Sequence, residues 1–410
     1  MYVGIVGQIF VATLHVSDGT SVFDAIYPTQ IVDPTSNPDP RIAIAVDQGL
    51  WSLHSKMIRG TYATGPPGYG LPYAELDGSL CEAAEAFVRH GSDATGNAAN
   101  TDPYSDDIAR LMNETFATMT TTQVSATAPF DYDQNGNGLG VSFGLGGFGN
   151  GMVEYGPCSQ VFVVGLGASY IIPAGPDGVH GRTLADVSQD LADCVSQLNS
   201  GPGLGWGDNA RLTFEAVLAL SNAQKLGATF SPYVTSMIDS WLLSSRAAAT
   251  GPFSGAWAYT SAGDAPGITW TAAGIFESVA AGQSTADANL DGALSFIYRN
   301  WNTDDADTSG GGTASLFNCS VTVSADDSAT NYLLQLAFGA TETTILGAGS
   351  AGFDWFYAPL SAPRAGIASV LTSIQNSDGS WSDGSDDPCS GIFGESPTAW
   401  NASTLLGGNP

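Results

Sequence analysis

Apolar residues recur at helical spacing along most of the chain, and they do so in a repeating order. An amphipathic segment comes first, then a turn built on glycine and tryptophan, then a segment that is apolar nearly all round. In the last copy Ile367, Val370, Leu371 and Ile374 form one stripe. Gln375-Asn376-Ser377-Asp378-Gly379-Ser380-Trp381 follows, and Thr398-Ala399-Trp400-Asn401-Ala402-Ser403-Thr404-Leu405-Leu406 ends the unit. An earlier copy runs Leu184, Val187, Leu191, Cys194, Leu198, then Gly205-Trp206, then Leu212-Thr213-Phe214-Glu215-Ala216-Val217-Leu218. A middle copy runs Val234, Met237, Trp241, then Gly255-Ala256-Trp257, then Thr269 to Phe276. One such helix pair cannot bury its own apolar face, so copies must stack on neighbours.

The pattern predicts ten to twelve helices from Ile42 onward. Val46, Leu50, Leu53 and Met57 fit one stripe, Ser79 to Phe87 fits a buried helix, and Ile108, Leu111, Met112, Phe116 and Met119 fit another, opened by Ser105. Thr183 with Asp186 resembles a capping box, and Ser231-Pro232 fits an N-cap followed by a first-turn proline. Ser324 with Asp326 and Asp327 opens the helix that carries Tyr332, Leu333 and Leu336. Stretches 59–78, 120–157 and 302–322, rich in Gly and Asp, read as long loops. The N-terminus differs. Val3, Ile5, Ile9, Val11 and Val16 read as an extended segment with two apolar faces, and Asp18-Gly19 can turn it back toward Val22 to Ile31. Pro34 to Pro40 then separates a β-rich extension, residues 1–41, from a helical domain, residues 42–410.

Gln375-x-x-x-Gly379-x-Trp381 resembles the tail of the repeat found in squalene and terpenoid cyclases and in protein prenyltransferases, with Gly255-Ala256-Trp257 a partial match and Gly205-Trp206 a weaker one. More narrowly, the chain looks like secreted bacterial prenyltransferase/squalene oxidase repeat proteins. The resemblance covers the helical body and implies an α/α toroid, two rings of helices around a central cavity, with Trp206, Trp257 and Trp381 stacking between repeats. A prenyltransferase would need zinc on Asp, Cys and His. The four histidines, His15, His54, His90 and His180, all lie before the C-terminal half where that family places its ligand, so no zinc is expected. Class II cyclases use Asp-x-Asp-Asp. The nearest string here, Asp304-Asp305-Ala306-Asp307, has the wrong order and reads as a solvated loop.

Composition narrows the partners. The formal net charge is −29 over 410 residues, with two lysines, Lys56 and Lys225. That balance repels phosphate backbones and anionic membranes, so no nucleic acid partner is expected. Asp outnumbers Glu 31 to 9, and Gly, Ser, Thr and Asn are plentiful, an extracellular composition. The apolar stretch Val161 to Pro173 is too short to span a membrane. Residues Tyr2 to Val16 lack a basic n-region and are not read as a signal peptide, although a removed leader can lie upstream. Cys81, Cys158, Cys194, Cys319 and Cys389 allow at most two internal bridges, or serve as small buried apolar residues. Asn113, Asn318 and Asn401 stand in glycosylation sequons.

The most specific chemical signal is calcium. Asp131-Tyr132-Asp133-Gln134-Asn135-Gly136-Asn137 places oxygen ligands at Asp131, Asp133, Asn135 and Asn137 with glycine at position six, the front half of a calcium loop. Its twelfth position is Ser142, so a distant carboxylate must complete it. Asp287, Asn289 and Asp291 repeat the pattern, with Tyr298 at position twelve. The alternative in both cases is an Asx-rich turn or a helix cap. Calcium would be structural. No phosphate-cradling glycine loop with a lysine is present, so no nucleotide is expected.

Two functions follow as expectations. The first is a non-catalytic extracellular surface or matrix protein, its toroid a rigid body and its N-terminal strand a route to self-assembly. The second is a secreted polysaccharide lyase or glycosidase, or a glycan-binding module, using the central cavity. Weak candidates for its acid–base work are Glu75 and Asp77, with Tyr62, Tyr69 and Tyr73 as a sugar-binding rim. A dense centre favours the first. An open cleft with convergent carboxylates and aromatics favours the second.

Overall fold

Helices dominate because two helical patterns alternate, one apolar on a stripe and one apolar all round. The computed structural model describes residues 9–17, 22–30, 40–61, 67–70, 78–96, 101–126, 130–143, 155–247, 250–251, 253–260, 266–301, 328–347, 352–381 and 397–407. Along them run α1 (Pro40–Lys56), α2 (Gly78–Arg89), α3 (Pro103–Thr118), α4 (Tyr155–Val161), α5 (Leu184–Gln197) and α6 (Ala210–Lys225). Then come α7 (Pro232–Ser244), α8 (Ile268–Ala280), α9 (Ala288–Arg299), α10 (Ser328–Ala340), α11 (Ile367–Ile374) and α12 (Pro397–Leu406). A π-turn, Phe162–Leu166, extends α4.

The two patterns sort the helices into two environments. On α7 only Val234, Met237, Ile238, Trp241 and Leu242 are buried, one stripe at helical spacing. On α8 every residue from Ile268 to Ser278 is buried, and so is every residue of α4. The all-round buried helices pack in a closed order: α2 on α4, α4 on α6, α6 on α8, α8 on α10, α10 on α12, and α12 back on α2. Against them lie the striped helices, with α3 on α2, α5 on α6, α7 and α9 on α8, and α1 on α12. A disulfide joins Cys81 on α2 to Cys158 on α4, and Cys194 is a buried free thiol. Cys319 and Cys389 lie outside the described residues.

The glycine–tryptophan turns tie each striped helix to the next buried one by the same pair of hydrogen bonds. The indole N–H of Trp206 donates to the Val195 carbonyl (2.8 Å), that of Trp257 to Leu242 (2.9 Å), and that of Trp381 to Leu371 (2.9 Å). The backbone N–H of each tryptophan donates to a threonine hydroxyl early in the following helix: Thr213, Thr271 and Thr398, each at 3.1 Å. All three indoles are buried. Gln375 explains the rest of its motif, because its amide donates to the Gly379 carbonyl (2.8 Å) and to the Ala45 carbonyl of α1 (2.7 Å).

Gly379 is needed on two counts. Its φ is +83°, and a Cβ there would collide with the Gln48 carbonyl of α1. Gly227, just past the end of α6, has φ +100° but open space where a Cβ would stand. Gly379→Ala is therefore expected to cost about 2 kcal/mol or more, and Gly227→Ala about 1 kcal/mol. Urea unfolding of both variants checks the order. Equal losses would mean that the close approach to α1 contributes nothing.

Several boundaries differ from the sequence reading. Ser105 does not open α3. Asp102 caps it, accepting from the Tyr104 N–H, with Pro103 at the first position, while the Ser105 hydroxyl donates to the Asp93 carbonyl. Stretch 120–157 is not all loop, because β5 (Thr120–Gln123) pairs antiparallel with β6 (Leu139–Ser142). Within 59–78, β3 (Ile58–Thr61) pairs with β4 (Pro67–Gly70). At the N-terminus β1 (Ile9–Ser17) pairs antiparallel with β2 (Val22–Gln30), a two-stranded ribbon. Thr183, Ser231 and Asp287 cap α5, α7 and α9. Residues 324–327 lie outside the described residues.

Candidate functional site

The Asp131–Asn137 loop sits between β5 and β6 and packs on α5. Local hydrogen bonds shape it. Asp133 accepts from the backbone N–H groups of Asn137 (3.1 Å) and Gly138 (2.8 Å), and Asn135 and Asn137 cap the N–H groups two residues on. Gly136 and Gly138 take φ +74° and +70°, which lets the loop turn tightly. The side-chain amides of Asn135 and Asn137 both donate to Asp190 Oδ1 on α5, at 2.7 and 2.9 Å. Asp190 also accepts from Arg182 (2.5 Å). One turn further along α5, Asp193 accepts from the Gln189 amide (2.8 Å). Burial raises the Asp193 carboxyl to about 7, against pulls from Gln189 and the Gln134 N–H, with Asp190 and Asp133 adding like charge. Ser142, the loop's twelfth position, instead shares a hydrogen bond with Thr120 (2.7 Å).

The second loop has a different setting. Asp287 accepts from the Asn289 N–H (2.7 Å) as the N-cap of α9, and Asp291 lies in that helix's first turn. The Asn289 side-chain oxygen, Oδ1, accepts from the Arg246 guanidinium, a cation where a metal would stand. Tyr298, at position twelve, lies under Arg364, 4.1 Å from its ring centroid. Glu75, Asp77, Tyr62, Tyr73 and Asp304 to Asp307 lie outside the described residues, and Tyr69 falls in β4, whose side chains are likewise outside them. Of the sequon asparagines, Asn401 is buried on α12, and Asn113 is exposed on α3 but followed by a fully buried Thr115.

The centre of the helical body holds a group that the sequence reading passed over. Glu82 and Glu85 on α2 and Glu215 on α6 are buried within reach of one another's charge, and Glu277 on α8 is buried apart from them, against Trp241 of α7. The Tyr332 hydroxyl of α10 donates to the Glu85 carboxylate, 2.8 and 2.9 Å from its two oxygens, and Arg89 pairs with it at 2.6 Å. Burial raises the Glu85 carboxyl, and the charge of Arg89 and the hydrogen bond from Tyr332 pull it back. Glu215 accepts from the Gly156 N–H (3.0 Å). Burial pushes it well above the ordinary range, opposed by Arg211 and reinforced by Glu82. The signal was present. Four of the nine glutamates stand on helices that are otherwise apolar all round, where an acid has no solvent to face.

Glu82, Glu85, Pro157, Tyr332, Ala399, Trp400 and Ser403 line a gap too narrow to admit a water molecule. The Trp400 and Tyr332 rings meet edge to face at 4.4 Å. A buried acid with a raised pKa is chemically able to donate a proton. A drug-sized ligand, however, needs a pocket of roughly 300 Å³ or more. No protein-family model and no curated protein matches the sequence.

Proposed function

We propose that the protein is a non-catalytic extracellular surface or matrix protein, an α/α toroid that serves as a rigid body and self-assembles through its N-terminal strands. The observation that carries this reading is the packing around Glu85, Tyr332 and Trp400, where the described side chains leave gaps narrower than water. The closed packing order of α2, α4, α6, α8, α10 and α12 supports the toroid. The Cys81–Cys158 disulfide and the net charge of −29 fit an oxidising, extracellular setting. Among the described residues the β1–β2 ribbon has two strands and so two open edges, the geometry that strand addition uses.

Light scattering after size exclusion, with electron microscopy, tests it. The full-length chain is expected to assemble and the chain lacking residues 1–33 to stay monomeric. A monomer in both cases removes the assembly reading. Cleavage of a polysaccharide that Glu75→Gln abolishes would replace the scaffold with a carbohydrate-active enzyme.

A further inference from the structure

We propose that α5 completes a calcium site whose front half is the Asp131–Asn137 loop, with Asp190 and Asp193 supplying the carboxylates that the loop lacks at its twelfth position. The inference is independent of the assembly reading.

Three observations meet here. The loop offers Asp131, Asp133 and Asn135 at alternating positions and a tight turn at Gly136, the spacing by which a short loop wraps a hard cation. Asp190 and Asp193 are fully buried and Asp133 nearly so, yet among the described residues the cation paired with them is Arg182 alone, just ahead of α5, and its bond goes to Asp190 Oδ2. Finally, Asp193 Oδ2 is a buried carboxylate oxygen without a hydrogen-bond partner among the described residues. A native fold seldom leaves such an atom unpaired, because its desolvation goes uncompensated. A divalent cation between loop and helix would pair it.

The donors choose the metal. They are carboxylate and amide oxygens, with no thiolate or imidazole among them. Such a set suits calcium over zinc, and the number of oxygens gathered suits calcium over magnesium. Among the described residues no three acidic, histidine or cysteine side chains already stand at metal-ligand spacing. Binding must therefore draw the loop toward α5. The amides of Asn135 and Asn137 now present N–H to Asp190. A half-turn of the Asn135 amide would present its oxygen to the cation.

Calorimetric titration of the full-length chain with calcium chloride, after chelator treatment, tests the proposal, with thermal unfolding in parallel. The expected result is one site with Kd on the order of 0.1–1 mM and a melting temperature that rises with calcium but not with equal magnesium. Asp193→Asn is expected to weaken binding at least about tenfold and to abolish the calcium-dependent shift without lowering the calcium-free melting temperature. Asp131→Asn, at an exposed position, provides a second variant that folds whatever Asp193 does, and it too should weaken binding about tenfold. Absence of binding at 10 mM calcium (roughly ten times the weakest expected Kd) would overturn the proposal. So would affinity unchanged by Asp131→Asn, which would place the cation elsewhere.

Discussion

Glu277→Gln should make the protein more stable at alkaline pH and flatten its pH dependence. Glu277 is buried on α8. One carboxylate oxygen accepts from the Trp241 indole at 3.1 Å, and the other has no hydrogen-bond partner among the described residues. Burial raises its pKa from 4.5 to about 8, against the pull of that indole bond. The folded value lies above the unfolded one, so the folded state holds the proton more tightly. The resulting stability is fully present below about pH 4.5 and is lost as pH climbs through about 8. Between pH 5 and pH 8.5 the loss from this group is on the order of 3–4 kcal/mol. Glutamine keeps an oxygen for the indole and has no charge to bury. Denaturant unfolding of wild type and variant from pH 5 to 9 measures the difference, which cancels the other buried acids. Parallel curves would show that Glu277 does not titrate within the fold.

What could be read from sequence followed the range over which each signal acts. The contrast between a striped α7 and an all-round buried α8 lies within each segment, so the mainly helical body was legible. The caps at Thr183 and Ser231 are equally local. The proposed calcium site shows the same limit: the seven residues of the loop carry the spacing, but Asp190 and Asp193 lie more than fifty residues on and reach it only because β6 packs on α5. The Cys81–Cys158 bridge spans 77 residues and depends on α2 lying beside α4, which no spacing rule encodes. The π-turn at Phe162–Leu166 gave no pattern of its own, since an apolar run reads the same in several backbone geometries. The central glutamates were missed for another reason. They form no contiguous motif, because they stand singly or three apart on buried helices.

Arg89→Leu is the second large effect. Glu85 and Arg89 stand four apart on α2, and both are largely removed from solvent, with side chains 1% and 15% exposed. Removing the guanidinium leaves Glu85 facing Tyr332 alone, with Glu82 and Glu215 nearby. Breaking a buried pair on one side costs about 3–5 kcal/mol, because the remaining charge is uncompensated. The carboxyl can escape by taking a proton, so the loss should shrink as pH falls toward 5. Glu85→Gln added to Arg89→Leu removes the stranded charge and should restore most of the stability. The amide still accepts the Tyr332 hydroxyl, which joins α2 to α10 across the centre, two helices that are not neighbours in the packing order. Denaturant unfolding of the two single variants and the double gives the coupling energy, and additive losses would deny that the two side chains act as a pair. The double variant also separates the functions. If the centre only holds the body rigid, the refolded double variant assembles like wild type. If Glu85 serves as an acid in chemistry, wild type turns over a substrate and the folded, assembled double variant does not.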